Sequence, residues 1–138
     1  TKGGVMRGTL CFTLLASVLV GCADLTVSNV HDAPFIASQQ MMKATVKNEG
    51  WRSAPASTTR LDIKTPSSPA FAQVATRPTP ALARNQQIEL DMLPFHLSQF
   101  VAVGQCIEIK VCADSANNVN EWFGGEDNNC QTKSFCRN

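Results

Sequence analysis

The sequence contains few of the features from which enzyme sites are built. Only two histidines occur in the 138 residues, His31 and His96, and they fall in unrelated predicted loops with no metal-binding or hydrolase motif around them. The chain has no glycine-rich phosphate loop, nucleophile elbow or paired catalytic carboxylate motif. These absences argue against a histidine-based, phosphate-binding or hydrolytic site. The protein is therefore predicted not to be an enzyme.

The first 21 residues have the organisation of a secretory signal peptide. Arg7 precedes a short apolar run over residues 9–20, and small residues follow. The run is too short to span a bilayer comfortably. It ends in Leu19-Val20-Gly21-Cys22, which resembles the lipobox of bacterial lipoproteins. That resemblance implies cleavage before Cys22, acylation of this cysteine and anchoring through the lipid. Residues 1–5 are expected to be an over-extended reading frame.

Two alternatives stay open for this segment. Cleavage after Ala23 would release a soluble domain, and strand-like sequence from Asp24 onward, which leaves almost no tether after Cys22, favours that outcome. Alternatively, residues 9–20 form a buried core helix, although the run shows no amphipathic stripe.

Removal of the signal peptide leaves one domain, residues 22–138. The leader holds two of the twelve Lys and Arg residues and none of the eleven Asp and Glu residues, so the mature net charge is −1. This balance argues against a nucleic-acid partner.

The last four cysteines follow a mirror relation. The residue numbers of Cys106 and Cys136 have the same sum as those of Cys112 and Cys130, and facing residues of an antiparallel pair keep a constant sum. One hairpin register therefore predicts both Cys106–Cys136 and Cys112–Cys130. Cys106 and Cys112 cannot bond to each other, because six strand residues span ~20 Å and a disulfide needs Cα atoms within roughly 7 Å.

Reduced or zinc-binding thiols are the less favoured alternative for these cysteines. Structural zinc sites usually bring cysteine pairs two to four residues apart, and this spacing does not occur among the last four cysteines. Oxidised cysteines agree with export, since disulfides persist outside the cytoplasm.

Alternation in the cysteine segments also shows which face each strand buries. Ile107, Ile109 and Val111 alternate with Cys106, Glu108, Lys110 and Cys112, so the cysteines share the polar face. In the partner segment Phe135 takes the core side opposite Ile107. Lys133 and Gln131 weaken that inner face, which predicts that the last strand lies at a sheet edge.

Other short alternating segments predict an all-β protein. Candidate strands cover residues 24–30, 42–47, 59–64, 71–76 and 86–92. The fourth is weaker because Pro69 and Pro78 enclose it, and a short helical turn is expected after Pro94. About seven short strands with turn signals between them indicate an antiparallel β-sandwich with a disulfide-stapled C-terminal hairpin.

Several segments resemble the CARDB domain, an immunoglobulin-like β-sandwich of bacterial and archaeal surface proteins. The resemblance covers residues 24–135 and is carried by Asp24-Leu25-Thr26-Val27, by Lys43-Ala44-Thr45-Val46-Lys47-Asn48-Glu49-Gly50 followed by Ala54, by Val111-Cys112-Ala113-Asp114 with Asn118-Val119-Asn120-Glu121, and by Glu126-Asp127-Asn128-Asn129. It implies an adhesion or spacer role without catalysis. This chain departs from the pattern by its two disulfides and by the inserted Trp122-Phe123-Gly124-Gly125.

The segment between the two cysteine strands holds the candidate binding residues. Trp122 and Phe123, flanked by Glu121 and Glu126, could project as a binding anchor, or they could fold back and cap the sandwich. Trp51, after the Asn-Glu-Gly turn, is expected at the end of the core.

No cofactor is predicted, with calcium as a weak candidate. Asp114, Glu126 and Asp127 carry the oxygen ligands that calcium prefers. Asx turns are the favoured explanation of the same loop, because its spacing is not that of a known calcium loop.

These observations together predict a module exported across the cytoplasmic membrane and lipid-anchored in the cell envelope. It would recognise an envelope protein or polysaccharide through surface loops and contact the membrane through the lipid on Cys22. The alternative is a structural spacer or an assembly subunit that pairs with a partner through an edge strand.

Overall fold

A computed structural model describes residues 22–36, 39–119, 121 and 128–138. It contains seven strands: β1 Leu25–Pro34, β2 Gln40–Asn48, β3 Ser57–Thr65, β4 Ser68–Thr79, β5 Gln87–Phe95, β6 Cys106–Cys112 and β7 Cys130–Cys136. A single 3-10 turn, Leu97–Gln99, follows β5. This turn is the one expected after Pro94. Within the described ranges no helix has the length and apolar character needed to cross a membrane.

The strands form two antiparallel sheets that face each other. One sheet has the order β1-β2-β5 and the other the order β4-β3-β6-β7. Across the sandwich, β1 lies near β7 and β4 lies near β5. The predicted immunoglobulin-like β-sandwich is confirmed, and so is the edge position of β7.

The core fills the space between the sheets with the apolar residues that alternation places inward. On β6 the fully buried residues are Ile107, Ile109 and Val111, and they pack against Leu61 of β3. The facing sheet contributes a second group that includes Leu25, Val30, Met42, Ala44, Val46 and Met92. Burial of such side chains contributes about 1.5–3 kcal/mol each, so this core supplies most of the driving force for folding.

The C-terminal hairpin has the register that the cysteine numbers predict. Cys106 faces Cys136 and Cys112 faces Cys130, and both pairs form disulfides. Phe135 faces Ile107 and packs against the core. The two bridges therefore lie on the outer face of the four-stranded sheet and fasten an edge strand whose own core contribution is small.

Strand β4 is longer than the sequence predicts, because it includes Pro69 and Pro78. Among the described strands it pairs only with β3, so its other side is an edge where a residue without an N–H is tolerated. The register shifts near Val74 and again between Ala72 and Ser68. These bulges explain why alternation along β4 is weak. His31, expected in a loop, lies within β1.

Antiparallel order places every connection at one of two ends of the sandwich. The end where β1 begins, called here the Cys22 end, holds Cys22–Asp24, the β2–β3 and β4–β5 connections and the β6–β7 loop. The far end holds the β1–β2, β3–β4 and β5–β6 connections. Strand β2 joins the two ends, and its nine residues span roughly 26 Å.

Candidate functional site at the Cys22 end

Asn48, the last residue of β2, organises the Cys22 end. Its side chain is fully buried and makes four hydrogen bonds. The Oδ1 atom accepts from the backbone N–H groups of Asp24 at 3.2 Å and Gly50 at 3.0 Å. The Nδ2 group donates to the carbonyls of Arg52 at 2.6 Å and Leu82 at 3.1 Å. One side chain therefore joins the start of β1, the β2–β3 connection and the β4–β5 connection.

Gly50 allows residues 22–24 to lie directly on the turn after β2. A Cβ atom at this position would overlap the carbonyl oxygen of Cys22 and would lie 2.5 Å from Asp24 N. Such contacts are with backbone, which cannot rotate away as a flexible side chain can. The Asn48-Glu49-Gly50 segment that carries the family resemblance thus has a structural purpose, which is to hold residues 22–24 against the turn.

Cys22 belongs to the folded domain rather than to a flexible tether. It is 4% exposed, and its carbonyl oxygen accepts hydrogen bonds from the N–H groups of Trp51 at 2.9 Å and Arg52 at 3.4 Å. In this uncleaved chain Cys22 is disulfide-bonded. A disulfide and an acyl thioether are alternative states of one sulfur, so the predicted lipidation concerns an exported chain in which that bond is absent.

The sequence predicts Trp51 at the end of the core, but the structure places it in solvent. Its side chain is 70% exposed, and the guanidinium carbon of Arg84 lies 3.9 Å from the ring centroid. The prediction is wrong because the Asn48 hydrogen bonds and the close approach at Gly50 turn the chain outward after β2. The result is a solvent-facing aromatic side chain, paired with a cation, next to Cys22.

The described part of the β6–β7 loop supports the Asx-turn interpretation of Asp114. This residue is buried and has a φ of 45°, in the left-handed region that Asp tolerates better than most residues. Its Oδ1 and Oδ2 atoms accept the N–H groups of Asn118 at 2.9 Å and Val119 at 2.8 Å. Asp114 thus uses both carboxylate oxygens to shape the loop.

The calcium candidates are only partly placed. Glu126 and Asp127 lie outside the described residues. Among the residues that the structure does describe, no three His, Cys, Asp or Glu side chains are grouped as metal ligands. The calcium assignment for Asp114, Glu126 and Asp127 stays a prediction.

The later part of the same loop contacts residues 23–25. Glu121 Oε1 accepts the N–H of Leu25 at 2.8 Å, and Glu121 forms a parallel bridge with Ala23. Asn128 Nδ2 donates to Asp24 Oδ2 at 3.4 Å. The structure therefore gives Glu121 an internal contact. Trp122, Phe123 and Glu126, the other binding candidates, lie outside the described residues.

Placement of the β6–β7 loop beside Cys22 is the feature that sequence reasoning missed. The hairpin register defines where the loop leaves β6 and returns to β7, but it carries no information about which other segments share that end. The acidic loop, which begins at Asp114, and residues 22–24 are 90 or more residues apart in sequence. Only the order of strands brings them together.

The outer face of the three-stranded sheet carries a charge network between β2 and β5. Lys43 Nζ lies 2.8 Å from Asp91 Oδ1 and 3.0 Å from Glu89 Oε1. Hydrogen bonds first to Asp91 and then to Glu89 raise the pKa of Lys43 above its ordinary value. Lys43 and its two carboxylate partners keep this face of the sheet charged.

Comparison with known proteins agrees with this architecture. A CARDB domain from Pyrococcus furiosus, whose crystal structure is described as a complex with di-metal ions, superposes with a TM-score of 0.63 at 19% sequence identity. The match covers 85% of this chain and 90% of that chain, and at this identity it shows a shared fold. None of the curated proteins matches the sequence. The CARDB family profile matches residues 22–133, which is most of the chain, and this protein therefore belongs to the CARDB family.

Proposed function

We propose that the protein is an exported, lipid-anchored module of the cell envelope that binds a protein or polysaccharide through its loops. The lipobox-like segment supports anchoring at Cys22, and the two disulfides fit an oxidising compartment. Membership of the CARDB family, whose immunoglobulin-like domains often occur in adhesion-related proteins, supports a binding role in place of catalysis.

One observation carries the binding part of the proposal. The far end, which points away from Cys22, exposes large apolar side chains on two connections. Phe35 is 45% exposed and Ile36 67% exposed on the β1–β2 connection, and Val103 is 66% exposed on the β5–β6 connection. Both connections lie at the same end of the sandwich, so these side chains offer apolar contact area to a partner there. In the anchored protein these loops face away from the membrane.

The β6–β7 loop remains a second candidate binding surface. Its contacts to Asp24 and Leu25 place it at the Cys22 end. If cleavage follows Ala23 and the domain is soluble, this loop is available to a partner. If Cys22 is acylated, the described parts of the loop lie on the membrane side of the domain. The site of cleavage thus decides which loops can bind.

A spacer or assembly role is supported by a different feature, the free edge of β4. This edge exposes Phe71 and Val74, at 39% and 40%, and no charged residue occurs between Lys64 and Arg77. Long, uncharged, apolar edges favour pairing with another strand. The bulges in β4 limit the length over which such pairing could run.

Mass spectrometry of the protein isolated from its native envelope tests the anchoring. We expect a chain that begins at Cys22 and carries acyl mass on that residue, together with the two C-terminal disulfides. A mature chain that begins at Asp24 would contradict anchoring and support a soluble domain. A Cys22 that remains disulfide-bonded in the native protein would contradict acylation as well.

Pull-down from envelope extract tests which surface binds. We expect Ile36→Ser to lose the partner captured by the wild type, because it removes the most exposed apolar side chain of the far end, whereas Trp122→Ala and Val74→Lys retain it. Loss with Trp122→Ala alone would assign binding to the β6–β7 loop, and loss with Val74→Lys alone would assign it to the β4 edge.

No cofactor is needed for this function. Calcium is the weaker proposal, and capture that persists in a calcium chelator would discard it.

A further inference from the structure

We infer that the Cys22 end of the anchored domain rests directly on the bilayer and places Trp51 among the lipid headgroups. This inference rests on the proposed acylation of Cys22. It assigns an orientation to the whole domain and a membrane-contact role to a tryptophan that the binding proposal does not use.

No linker separates the proposed lipid attachment site from the folded domain, because Cys22 itself is part of that domain. Cys22 O accepts the Trp51 N–H at 2.9 Å, Ala23 bridges to Glu121, and Asp24 N donates to Asn48 at 3.2 Å. Acyl chains on Cys22 must enter the hydrocarbon layer. Because the residue that carries them is part of the folded domain, the turn that contains Trp51 is held at the headgroup level.

A second observation is the chemistry of the exposed pair. Tryptophan is enriched at membrane–water interfaces, where its amphipathic ring lies at the level of the headgroups. Arg84, stacked on the Trp51 ring at 3.9 Å, presents a guanidinium that forms charge-assisted hydrogen bonds to phosphate. This aromatic and cationic pair fits the headgroup layer of the same bilayer that holds the acyl chains.

The described carboxylates nearest to residues 22–25 and Trp51 are each engaged within the domain. Glu49 is paired with Lys47 at 3.1 Å, Asp24 accepts a hydrogen bond from Asn128 at 3.4 Å, and Glu121 of the β6–β7 loop accepts the Leu25 N–H at 2.8 Å. Arg52 adds a second cation beside Trp51. The far end, with Ile36 and Val103, then stands away from the membrane by roughly the length of β2, about 26 Å.

The two tryptophans of the chain, Trp51 and Trp122, make the inference measurable. Lipidated Trp122→Phe protein has Trp51 as its single tryptophan and can be reconstituted into phosphatidylcholine vesicles with brominated acyl chains. We expect the intensity of Trp51 emission to be lower in brominated than in unbrominated vesicles. We also expect its emission maximum to lie at shorter wavelength than in the same variant without lipid, measured in buffer. If Trp122→Phe does not fold, the difference between wild type and Trp51→Phe isolates the same signal.

A matched control places the single tryptophan at the opposite end. The variant Trp51→Phe/Trp122→Phe/Val103→Trp should show equal emission in both kinds of vesicle, because position 103 lies at the far end. Quenching of this variant to the same degree as Trp51 would overturn the proposed orientation, and so would an unquenched Trp51 on acylated protein. Mass spectrometry that finds no acyl group on Cys22 would instead remove the anchoring proposal, and this inference with it.

Discussion

Replacement of Asn48 by alanine is expected to lower the free energy of unfolding by about 3–5 kcal/mol, since each buried polar group left without its partner costs about 1–3 kcal/mol. The side chain makes four hydrogen bonds in a fully buried position. Its loss would leave the carbonyls of Arg52 and Leu82 and the N–H groups of Asp24 and Gly50 without these contacts. Urea unfolding followed by circular dichroism measures the change.

An asparagine on the surface supplies the matched control. Asn29 is exposed on β1, where its Nδ2 atom contacts His31 Nδ1 at 3.1 Å, so Asn29→Ala should change stability by less than about 0.5 kcal/mol. Gly50→Ala offers an independent check on the same end of the sandwich, with an expected loss of about 1–3 kcal/mol from overpacking against the backbone of Cys22 and Asp24. Equal stability of Asn48→Ala and Asn29→Ala would show that the turn does not depend on this side chain.

Removal of both C-terminal disulfides is expected to cost about 4–6 kcal/mol, and removal of either one about 2–4 kcal/mol. The bridges close nested segments, with sequence separations of 30 and 18 residues. Apart from its backbone pairing with β6, strand β7 has little packing to hold it, because Gln131 and Lys133 are poor core residues and Phe135 is its residue packed against the core. Since a domain of this size has a total stability of about 5–15 kcal/mol, the doubly reduced protein should be close to unfolding.

Alanine variants separate the two bridges. Cys106→Ala/Cys136→Ala removes the outer one, Cys112→Ala/Cys130→Ala removes the inner one, and the fourfold variant removes both. Urea unfolding measures the stabilities, and amide hydrogen exchange should show the β7 protons losing protection before those of β3. A fourfold variant within about 1 kcal/mol of the wild type would mean that packing alone holds the edge strand.

Alternation and the cysteine numbers were sufficient to predict the hairpin of β6 and β7 in detail. Side chains of a strand alternate between faces, so Ile107, Ile109 and Val111 could be assigned to the core without reference to any other segment. An antiparallel pair has a constant index sum, so the register of Cys106 with Cys136 followed from two numbers. Strand β4 was harder, because its bulges interrupt the alternation on which such predictions depend.

The candidate site was predicted much less well, for a physical reason. The sequence places Asn48 in a turn, yet its partners are Asp24, Gly50, Arg52 and Leu82, which come from three different segments. Trp51 was expected in the core and is 70% exposed. Neither result follows from local periodicity, because each depends on which segments meet at one end of the sandwich.

The sequence by itself determined the class of fold, the inward faces of the strands, the disulfide register and the edge position of β7, since all of these depend on spacing along one or two neighbouring strands. The tertiary structure alone decided that the β6–β7 loop lies beside Cys22, that Asn48 joins three connections and that Trp51 faces outward. These features arise from contacts between residues far apart in the chain. Their geometry is set by the spatial order of the strands within the two sheets.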